Sequence, residues 1–557
     1  MSWIDWLVLS GTLLFIVIYG TVKSRKNARI EDYLKNDNKL KGWQIGLSVM
    51  ATQASAITFI SVPGQAYEDG MGFVQFYFGL PIAMIILSVF MIPIYHRMKV
   101  YTAYEYLENR FDVRVRQITS FLFLVQRALA AGITIYAPAI ILSIVFGWSL
   151  TFTSVLIGVL VIIYTVSGGS KAVSITQQQQ MVIMIGGIIA ALCFIIYKVT
   201  QYVPFDQSMA ILKSSDKLNI IDTKFDFKNK YNIWSGIIAG TFLQLSYFGA
   251  DQSQVGRYLG GKSVREIKLG LTFNAIFKIP MQLLILFTGA MLFVFYIYVK
   301  PPLLFNTTEL AQVEKTSDAD SLKMLQRSFD STYAMYSAAH KDYSNLELIH
   351  NNSSKKEIDS IQKRTQQLML RHNPNAITKD NDFVFVHFIL HYMPVGLVGL
   401  LFAVILSAGM SSKASELNAL SAATIVDFYK RSFVKNKPEA HYLRASKIST
   451  AVWGILSIGF ALIFSLFDNL IEAVNVIGSL FYGTILGIFL TGFFIRHVKA
   501  NALLIAAVIA ETIVLVTFFL ERYDIISSFS YMWLNPLGCL SCMLFAVIIQ
   551  LFFRKAT

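Results

Sequence analysis

The chain has 557 residues, of which 55% are hydrophobic and 15% are charged, and its formal net charge is +14. Soluble domains carry about one quarter charged residues, so these values exclude an ordinary soluble protein and favour the lipid bilayer as the chain's solvent. The basic residues lie in short loops between apolar runs, which is typical of membrane proteins. No nucleic-acid partner is therefore expected, despite the positive charge.

Apolar runs predict an all-α membrane protein with about thirteen transmembrane helices. The runs lie at 3–22, 43–63, 73–96, 118–146, 150–167, 179–200, 234–255, 270–299, 394–426, 443–466, 470–495, 500–520 and 527–553. Basic residues follow the first run, at Lys23, Arg25 and Lys26, whereas a cleaved signal carries its charge before the apolar stretch. The first run is therefore predicted to be a retained span.

Loop charges predict the orientation of the chain. Every second loop is basic, namely 23–42, 96–117, 256–268 and 427–447, and such loops face the cytoplasm. We therefore expect a multi-pass protein of the cell inner membrane with its N-terminus outside and its C-terminus inside. Residues 300–383 are polar and predict an external insertion with amphipathic helices at 308–340 and 354–371.

Two predicted spans contain small and polar residues at membrane depth, at 51–58 and 244–252. Polar groups at this depth usually line a cavity, and secondary transporters bind solute where two discontinuous helices meet. These are the second and the seventh spans. They are five spans apart, which is the separation of equivalent helices in an inverted repeat of five helices. Helix packing through small residues is the alternative, but Asp251, Gln244 and Gln252 exceed what packing needs.

A run of serines lies in the ninth predicted span, and Ala408, Ser411, Ser412 and Ser415 fall on one helical face. Na⁺ is a hard cation that prefers oxygen ligands. Hydroxyls on an intact helix, together with carbonyls freed by a broken neighbour, would supply them. The pattern is consistent with a Na⁺ site between these two elements.

Two motifs carry a family resemblance: Tyr164-Thr-Val-Ser-Gly-Gly-Ser-Lys-Ala and Thr102-Ala-Tyr-Glu-Tyr-Leu-Glu-Asn-Arg-Phe. With them the chain resembles the sodium:solute symporter family, and within it the bacterial sodium/sialic acid and sodium/galactose symporters; Arg257 and Lys278 fit the galactose pattern. The resemblance implies a LeuT-type 5+5 inverted repeat in one polytopic domain. It would comprise an extra helix at 3–22, repeats at 43–200 and 234–495, and two C-terminal helices at 500–553.

The resemblance also implies a cation site. Its ligands would be the carbonyls of Ala51, Ala54 and Ala408 and the hydroxyls of Ser411 and Ser412, with Na⁺ as the coupling ion. The sialic acid symporters have a second Na⁺ site that includes an aspartate and two further serines. Gln177 stands at the position of the aspartate here, and Ala414 stands at the position of one serine. We therefore expect one Na⁺ per transport cycle.

The same comparison implies a solute pocket. Its predicted residues are Gln53, Ser55, Thr58, Phe73, Tyr77, Gln244, Tyr247, Phe248 and Asn475. In the sialic acid symporters an arginine binds the carboxylate of the solute, and the corresponding residue here is Ala130. In the galactose symporters two acidic residues bind the sugar, and the corresponding residues here are Ile57 and Tyr77. Neither recognition mode therefore carries over, and the identity of the solute stays open.

Three charged residues, Arg127, Lys413 and Glu416, lie inside predicted spans. Buried charges are paired or change their protonation. Our hypothesis is that Glu416 pairs with Arg127 or Lys413 as part of an inner gate. The alternative is that Lys413 extends along its stem to the membrane interface.

These patterns together predict a Na⁺-coupled symporter of a small organic solute, such as a sugar, a sugar acid or a carboxylate, working by alternating access as a monomeric unit. Symport with H⁺, or of an amino acid, vitamin or monocarboxylate, would use the same fold. An enzyme is not expected, because no nucleophile–base pair or metal cluster lies at one depth. A sensor is not expected either, since the chain ends at Thr557 directly after the last span.

Overall fold

The structure is a computed structural model that describes residues 1–24, 33, 40–341, 353–374, 376, 378, 380–463, 470–526 and 529–555. In this part of the chain the architecture is helical, and an isolated β-bridge joins Leu40 to Gly261. In chain order the helices are α1 (Trp3–Ser24), α2 (Gly42–Gln53), α3 (Ala56–Asp69), α4 (Met71–Met98), α5 (Glu105–Arg110), α6 (Val113–Phe146), α7 (Leu150–Ser170), α8 (Ala172–Thr200), α9 (Phe205–Ser214), α10 (Gly240–Gly249), α11 (Gln252–Tyr258), α12 (Val264–Tyr298), α13 (Thr307–Val313), α14 (Ala319–Lys341), α15 (Ser353–His372), α16 (Asn381–Tyr392), α17 (Leu397–Phe433), α18 (Glu439–Ile463), α19 (Leu470–Phe494), α20 (Ala500–Arg522) and α21 (Leu534–Lys555).

The number of helices that can cross a membrane is smaller than the sequence predicts. Among the described residues ten are long and apolar enough, or eleven if the bent pair α2 and α3 is one span. The other two predicted spans are helical but shorter: the apolar part of α1 covers Trp3–Ile16, and the seventh span is split into α10 and α11. In the seventh span the polar residues around Asp251 interrupt the helix.

Both expected helix breaks are present. The pair α2 and α3 bends by 64° at Ala54 (φ −82°, ψ 79°) and Ser55, which has an extended backbone. The break between α10 and α11 falls at Ala250 and Asp251, and the Asp251 carboxylate caps α11 by accepting the Ser253 N–H at 2.8 Å. Each break frees backbone groups inside the membrane region.

A third interruption separates α7 from α8, within the motif that begins at Tyr164. Gly169 has a φ of +61°, which L side chains rarely adopt. An added Cβ there would lie 2.6 Å from a ring atom of Tyr33. The glycine is needed both for the turn and for the close approach.

The broken helices pack in the centre of the bundle. Helix α12 packs along α2 and α3, while α17 packs against α1, α6 and the α7–α8 pair. Helix α19 packs against α6, α10 and α21. This arrangement brings the serine face of α17 and the side of α6 that carries Arg127 toward the two breaks.

The predicted polar insertion forms α13, α14 and α15. The sequence predicted one helix over 308–340, whereas the structure has two, since residues 314–318 form turns between α13 and α14. Residues 342–352, between the two predicted amphipathic helices, lie outside the described residues. Asp380 fastens the insertion to α16 by accepting backbone N–H groups from Phe305 and Asn306, the latter at 2.8 Å.

Candidate cation and solute site

The serine face of α17 meets the break between α2 and α3. Ser412 Oγ donates to the carbonyl of Thr52 at 3.0 Å. A Cβ added to Gly409 would lie 3.4 Å from the Cβ of Ala56. Since Ala408 precedes Gly409 and Ser411 follows it, the structure brings these residues to the level of Ala51 and Ala54.

The donor set in this region fits Na⁺. Ser411 Oγ is buried and has no hydrogen-bond partner among the described residues, so its oxygen is available as a ligand. Ala51 and Ala54 are fully buried next to a backbone that has left the helical conformation. Neutral hydroxyl and carbonyl oxygens are the ligands that a hard monovalent cation takes.

Gln177 on α8 lies beside the same serine face. Its Nε2 donates to Ser415 Oγ at 2.8 Å and to Thr52 Oγ1 at 3.0 Å, and its Oε1 accepts from Ser48 Oγ at 2.5 Å. An amide that donates to these oxygens occupies the place where a carboxylate would attract a cation. One Na⁺ per cycle stays a prediction.

The predicted solute residues fall into two aromatic groups. In the first, the Phe73 ring lies 6.0 Å from Tyr77 and 5.1 Å from Tyr231. The Tyr231 hydroxyl is 3.3 Å from that of Tyr531, which is hydrogen-bonded to Asn475. The structure therefore connects Phe73 and Tyr77 to Asn475 through two tyrosines that the sequence analysis did not single out.

The second group lies on α10. Tyr247 and Phe248 pack edge to face at 4.9 Å, and the Arg127 guanidinium lies 5.7 Å above the Tyr247 ring. Gln244, on the same helix, is fully buried, and neither of its amide atoms has a partner among the described residues. This group therefore combines aromatic surface with an unsatisfied amide.

The remaining predicted solute residues flank the break between α2 and α3. Ser55 precedes the first turn of α3, and its carbonyl accepts the N–H of Thr58 at 3.0 Å. Gln53 Oε1 is buried without a partner among the described residues. Unsatisfied buried amides at both breaks mark places where a ligand could bind.

Lys278 on α12 is fully buried, and its Nζ lies 5.4 Å from the centre of the Tyr77 ring. That ammonium has no hydrogen-bond partner among the described residues, and neither do the side chains of Asn274 and Gln282. From the sequence, Lys278 is part of the family resemblance but not of the predicted solute pocket. The signal was its spacing, since Asn274, Lys278 and Gln282 lie four residues apart on one helical face.

The charged residues form one buried network. Arg127 Nη1 lies 3.2 Å from Glu416 Oε1, and its Nη2 contacts Asp251. The Tyr482 hydroxyl accepts from Arg127 Nη2 and donates to Asp251 Oδ2, both at 2.8 Å. Thr134 Oγ1 donates to Glu416 Oε2 at 2.8 Å. The network thus links α6, α17, α19 and the break before α11.

Lys413 does not extend to the membrane interface, which corrects the alternative raised from the sequence. Its side chain is 1% exposed. The Nζ donates to the Ala131 carbonyl at 2.5 Å and lies 3.9 Å from Glu416 Oε2. Helix α6 covers this side of α17, so the amine finds a carbonyl inside the bundle instead of lipid headgroups.

The chain is similar to known sodium-coupled transporters. The model of the sodium:solute symporter family matches residues 33–309 and 367–510. The sodium/sialic acid symporter SiaT of Proteus mirabilis (strain HI4320) is 25% identical over 571 residues, which cover 100% of this chain and 96% of that protein. The sodium/iodide cotransporter and the sodium-coupled monocarboxylate transporter 2 of Homo sapiens are each 30% identical, over 49% and 48% of this chain. The chain spans less than half the length of these two proteins, namely 42% and 44%.

A solved structure shares the fold. It is described as the substrate-bound outward-open state of a Na⁺-coupled sialic acid symporter, and it matches with a TM-score of 0.77 at 24% identity. The match covers 99% of this chain and 98% of that one. With the family model covering most of the sequence, the chain belongs to the sodium:solute symporter family.

Proposed function

We propose that this protein uses the Na⁺ gradient to carry a small organic anion, such as a sugar acid or another carboxylate, across the cell inner membrane. The observation that supports an anion is Lys278, which is buried beside Tyr77 without a partner among the described residues. An unpaired buried charge is costly. A solute carboxylate would pair with this amine in its charged form, while a neutral sugar would give it no charged partner.

The relatives' names are consistent with this class. They refer to sialic acid, iodide and monocarboxylates, all of which are anions at neutral pH. This protein lacks an arginine at position 130 and has Arg127 bound to Glu416 and Asp251 instead. We therefore propose that Lys278 binds the anion and that Arg127 stabilises the buried ion-pair network.

We propose one Na⁺ per cycle. The ion would be held by the carbonyls of Ala51, Ala54 and Ala408 and the hydroxyls of Ser411 and Ser412. The Gln177 amide donates to the oxygens that a second ion would need. One Na⁺ with one monovalent anion moves no net charge, so the concentration gradient of Na⁺ alone would drive the cycle.

We assign the network around Arg127 to the inner gate. It connects helices on both sides of the predicted pathway through buried contacts. Alternating access requires such contacts to form in one state and to separate in the other. The basic loops support a cytoplasmic position for this side and an external N-terminus, and we expect a single chain to be the transport unit.

Uptake into proteoliposomes tests this function. Purified protein would be given an inward Na⁺ gradient, with choline replacing Na⁺ in the control, and labelled sialic acid, glucuronate, lactate or galactose outside. We expect Na⁺-stimulated uptake of at least one acid and none of galactose. Absence of Na⁺-stimulated uptake for every acid would contradict the proposal, and uptake driven by a proton gradient without Na⁺ would favour H⁺ coupling.

A further inference from the structure

A cavity of about 1080 Å³ lies between the insertion and the ends of the membrane helices beneath it. One wall comes from α14 and α15, including Tyr333 and Asp359, and the opposite wall includes Tyr67, Lys217 and Phe293. Binding pockets for small molecules have volumes of about 300–1,000 Å³. The cavity is therefore large enough for a sugar-sized molecule together with water.

The wall formed by the insertion lies outside the part of the chain that the family model matches. The family model leaves residues 310–366 unmatched, and that stretch contains α14 and most of α15. The membrane-side wall lies within the matched regions. The cavity thus lies between a wall outside the matched regions and a wall inside them.

Phe73 and Tyr231 also line the cavity, and both belong to the first aromatic group of the predicted solute pocket. From Phe73 the contacts continue to Tyr77 at 6.0 Å and from Tyr77 to Lys278 at 5.4 Å. A short series of aromatic rings therefore separates the cavity from Lys278, the residue proposed to bind the solute.

Lys217 is the cation best placed to bind a ligand in the cavity. Its Nζ donates to the carbonyl of Glu68 and lies 4.8 Å above the Phe293 ring. Burial and the positive charge of Lys355 lower the pKa of Lys217 to about 8. An anion beside this ammonium would stabilise its positive charge and so counteract both causes of the lowered pKa.

Several of the carboxylates around the cavity already have partners. Glu472 is paired with Lys230 at 2.5 Å, and Asp359 with Lys355 at 2.8 Å. Asp380 accepts the two backbone N–H groups described above. These three acids are held by the protein, so they compete less with a ligand for Lys217. Glu68 and Asp69 also line the cavity, and their charges favour the charged form of Lys217.

An aromatic wall adjoins Lys217. The Tyr67 ring packs edge to face against Phe293 at 6.1 Å, Tyr296 at 6.0 Å and Phe305 at 5.8 Å. Aromatic faces next to a few polar groups are typical of small-molecule sites, and the C–H face of a sugar ring can pack on them. The lining therefore suits a hydroxylated ring that carries a carboxylate.

We propose that this cavity is a second solute-binding site, which takes a sugar carboxylate through Lys217 and the Tyr67–Phe293 wall before the solute reaches Lys278. The ligand class rests on the proposed function. Binding in the cavity does not involve the five Na⁺ ligands, so it is independent of Na⁺.

A cysteine on the cavity wall provides a local readout. Lys363 on α15 lines the cavity and is exposed, so Lys363→Cys in a Cys193→Ser background would react with a membrane-impermeant maleimide. We expect sialic acid and glucuronate to slow this reaction in Na⁺-free buffer, and galactose to have no effect. Lys217→Gln should raise the concentration for half protection about tenfold or more, as loss of a charge-assisted hydrogen bond would.

Matched controls use Lys213, an exposed lysine of α9 that does not line the cavity. Lys213→Cys should not be protected, and Lys213→Gln should leave protection of Lys363→Cys unchanged. In protein that remains transport-competent, the proposal is overturned if neither acid protects, if galactose protects equally, or if Lys217→Gln has no effect.

The Na⁺-site variant Ser412→Ala separates the two proposals. It should lose Na⁺-driven uptake and keep protection of the cavity cysteine. Protection without Na⁺-driven uptake in the unmodified protein would refute the proposed function alone, while uptake without protection would refute the cavity site alone.

Discussion

Arg127 Nη1 lies 3.2 Å from Glu416 Oε1 although 289 residues separate the two in sequence. Arg127 also contacts Asp251 at the helix break and Tyr482 on α19. A single guanidinium therefore links three other parts of the bundle. If this link is the closed inner gate, its loss should affect both the stability of the protein and the access of solvent from the cytoplasm.

Arg127→Ala should abolish uptake and lower the melting temperature, because it removes the cation that pairs with the buried Asp251 and one of the two cations beside Glu416. Breaking a buried pair in this way costs about 3–5 kcal/mol. Arg114→Ala, at a side chain that is 58% exposed, should cost about 0–1 kcal/mol. Normal uptake and an unchanged melting temperature in Arg127→Ala would rule out the gate.

Glu416→Gln tests the gate with less damage to the fold, since it keeps the shape of the side chain and removes its charge. We expect faster labelling, from the cytoplasmic side, of a cysteine introduced at Thr134, whose hydroxyl donates to Glu416. Labelling rates that do not differ from those of the same cysteine in the parent protein would contradict this expectation.

Ser411→Ala and Ser412→Ala should each raise the Na⁺ concentration for half-maximal uptake about tenfold or more, because each removes an oxygen ligand of a cation. Ser421→Ala is the matched control, since its buried hydroxyl on the same helix donates to the Ser446 carbonyl at 2.8 Å. Equal Na⁺ dependence in all three variants would place the ion elsewhere.

With one Na⁺ and one monovalent acid, the initial rate of uptake should not respond to a membrane potential imposed with K⁺ and valinomycin. Gln177→Asp places a carboxylate among the hydroxyls of Ser48, Thr52 and Ser415. We expect it to create a second Na⁺ site, seen as a higher Hill coefficient for Na⁺ and as uptake that responds to the potential.

The control for this variant is Gln178→Asp, at the neighbouring glutamine, whose amide donates to the Ser174 carbonyl instead. It should show neither effect. Potential-dependent uptake by the unmodified protein would contradict the one-ion cycle.

Lys278→Met should weaken binding of the transported acid about tenfold or more, since the solute loses its charged partner. The fold should be no less stable, because an unpaired buried charge is replaced by an apolar chain of similar length. Lys262→Met, at an exposed lysine, should bind the acid normally. Unchanged affinity in Lys278→Met would exclude this residue as the anion partner.

Binding of the acid in the cavity between the insertion and the membrane helices should weaken as the pH rises from about 7 to about 9. The pKa of Lys217 is lowered to about 8, with Lys355, Asp69, Glu68 and Asp359 also acting on it. Below that pH the amine is charged and attracts a carboxylate, and above it the charge is lost. A bound acid favours the charged form, so the midpoint should move upward as the acid concentration rises.

Protection of the cavity cysteine, measured across this pH range and corrected for maleimide reactivity at the control position, reports the effect. Lys217→Arg should keep protection nearly constant, because arginine stays charged. A pH profile that is the same for lysine and arginine would show that another group is responsible.

The sequence by itself determined which solvent each segment sees and where helices are interrupted. Hydropathy identified the spans, while polar residues at 51–58 and 244–252 predicted the two breaks that the structure contains. The serine face of α17 followed from helical periodicity alone. These features are local, so they are readable without knowing which helices are neighbours.

Tertiary structure decided which side chains meet. Asp251, chosen from the sequence as a cavity residue, contacts Arg127 across 124 residues, and Lys413 turns inward to the Ala131 carbonyl. The isolation of Lys278 and the cavity under α14 and α15 likewise depend on packing. Lipid gives apolar faces no preferred partner, so the rotation of each helix, and with it every long-range contact, is settled only when the bundle assembles.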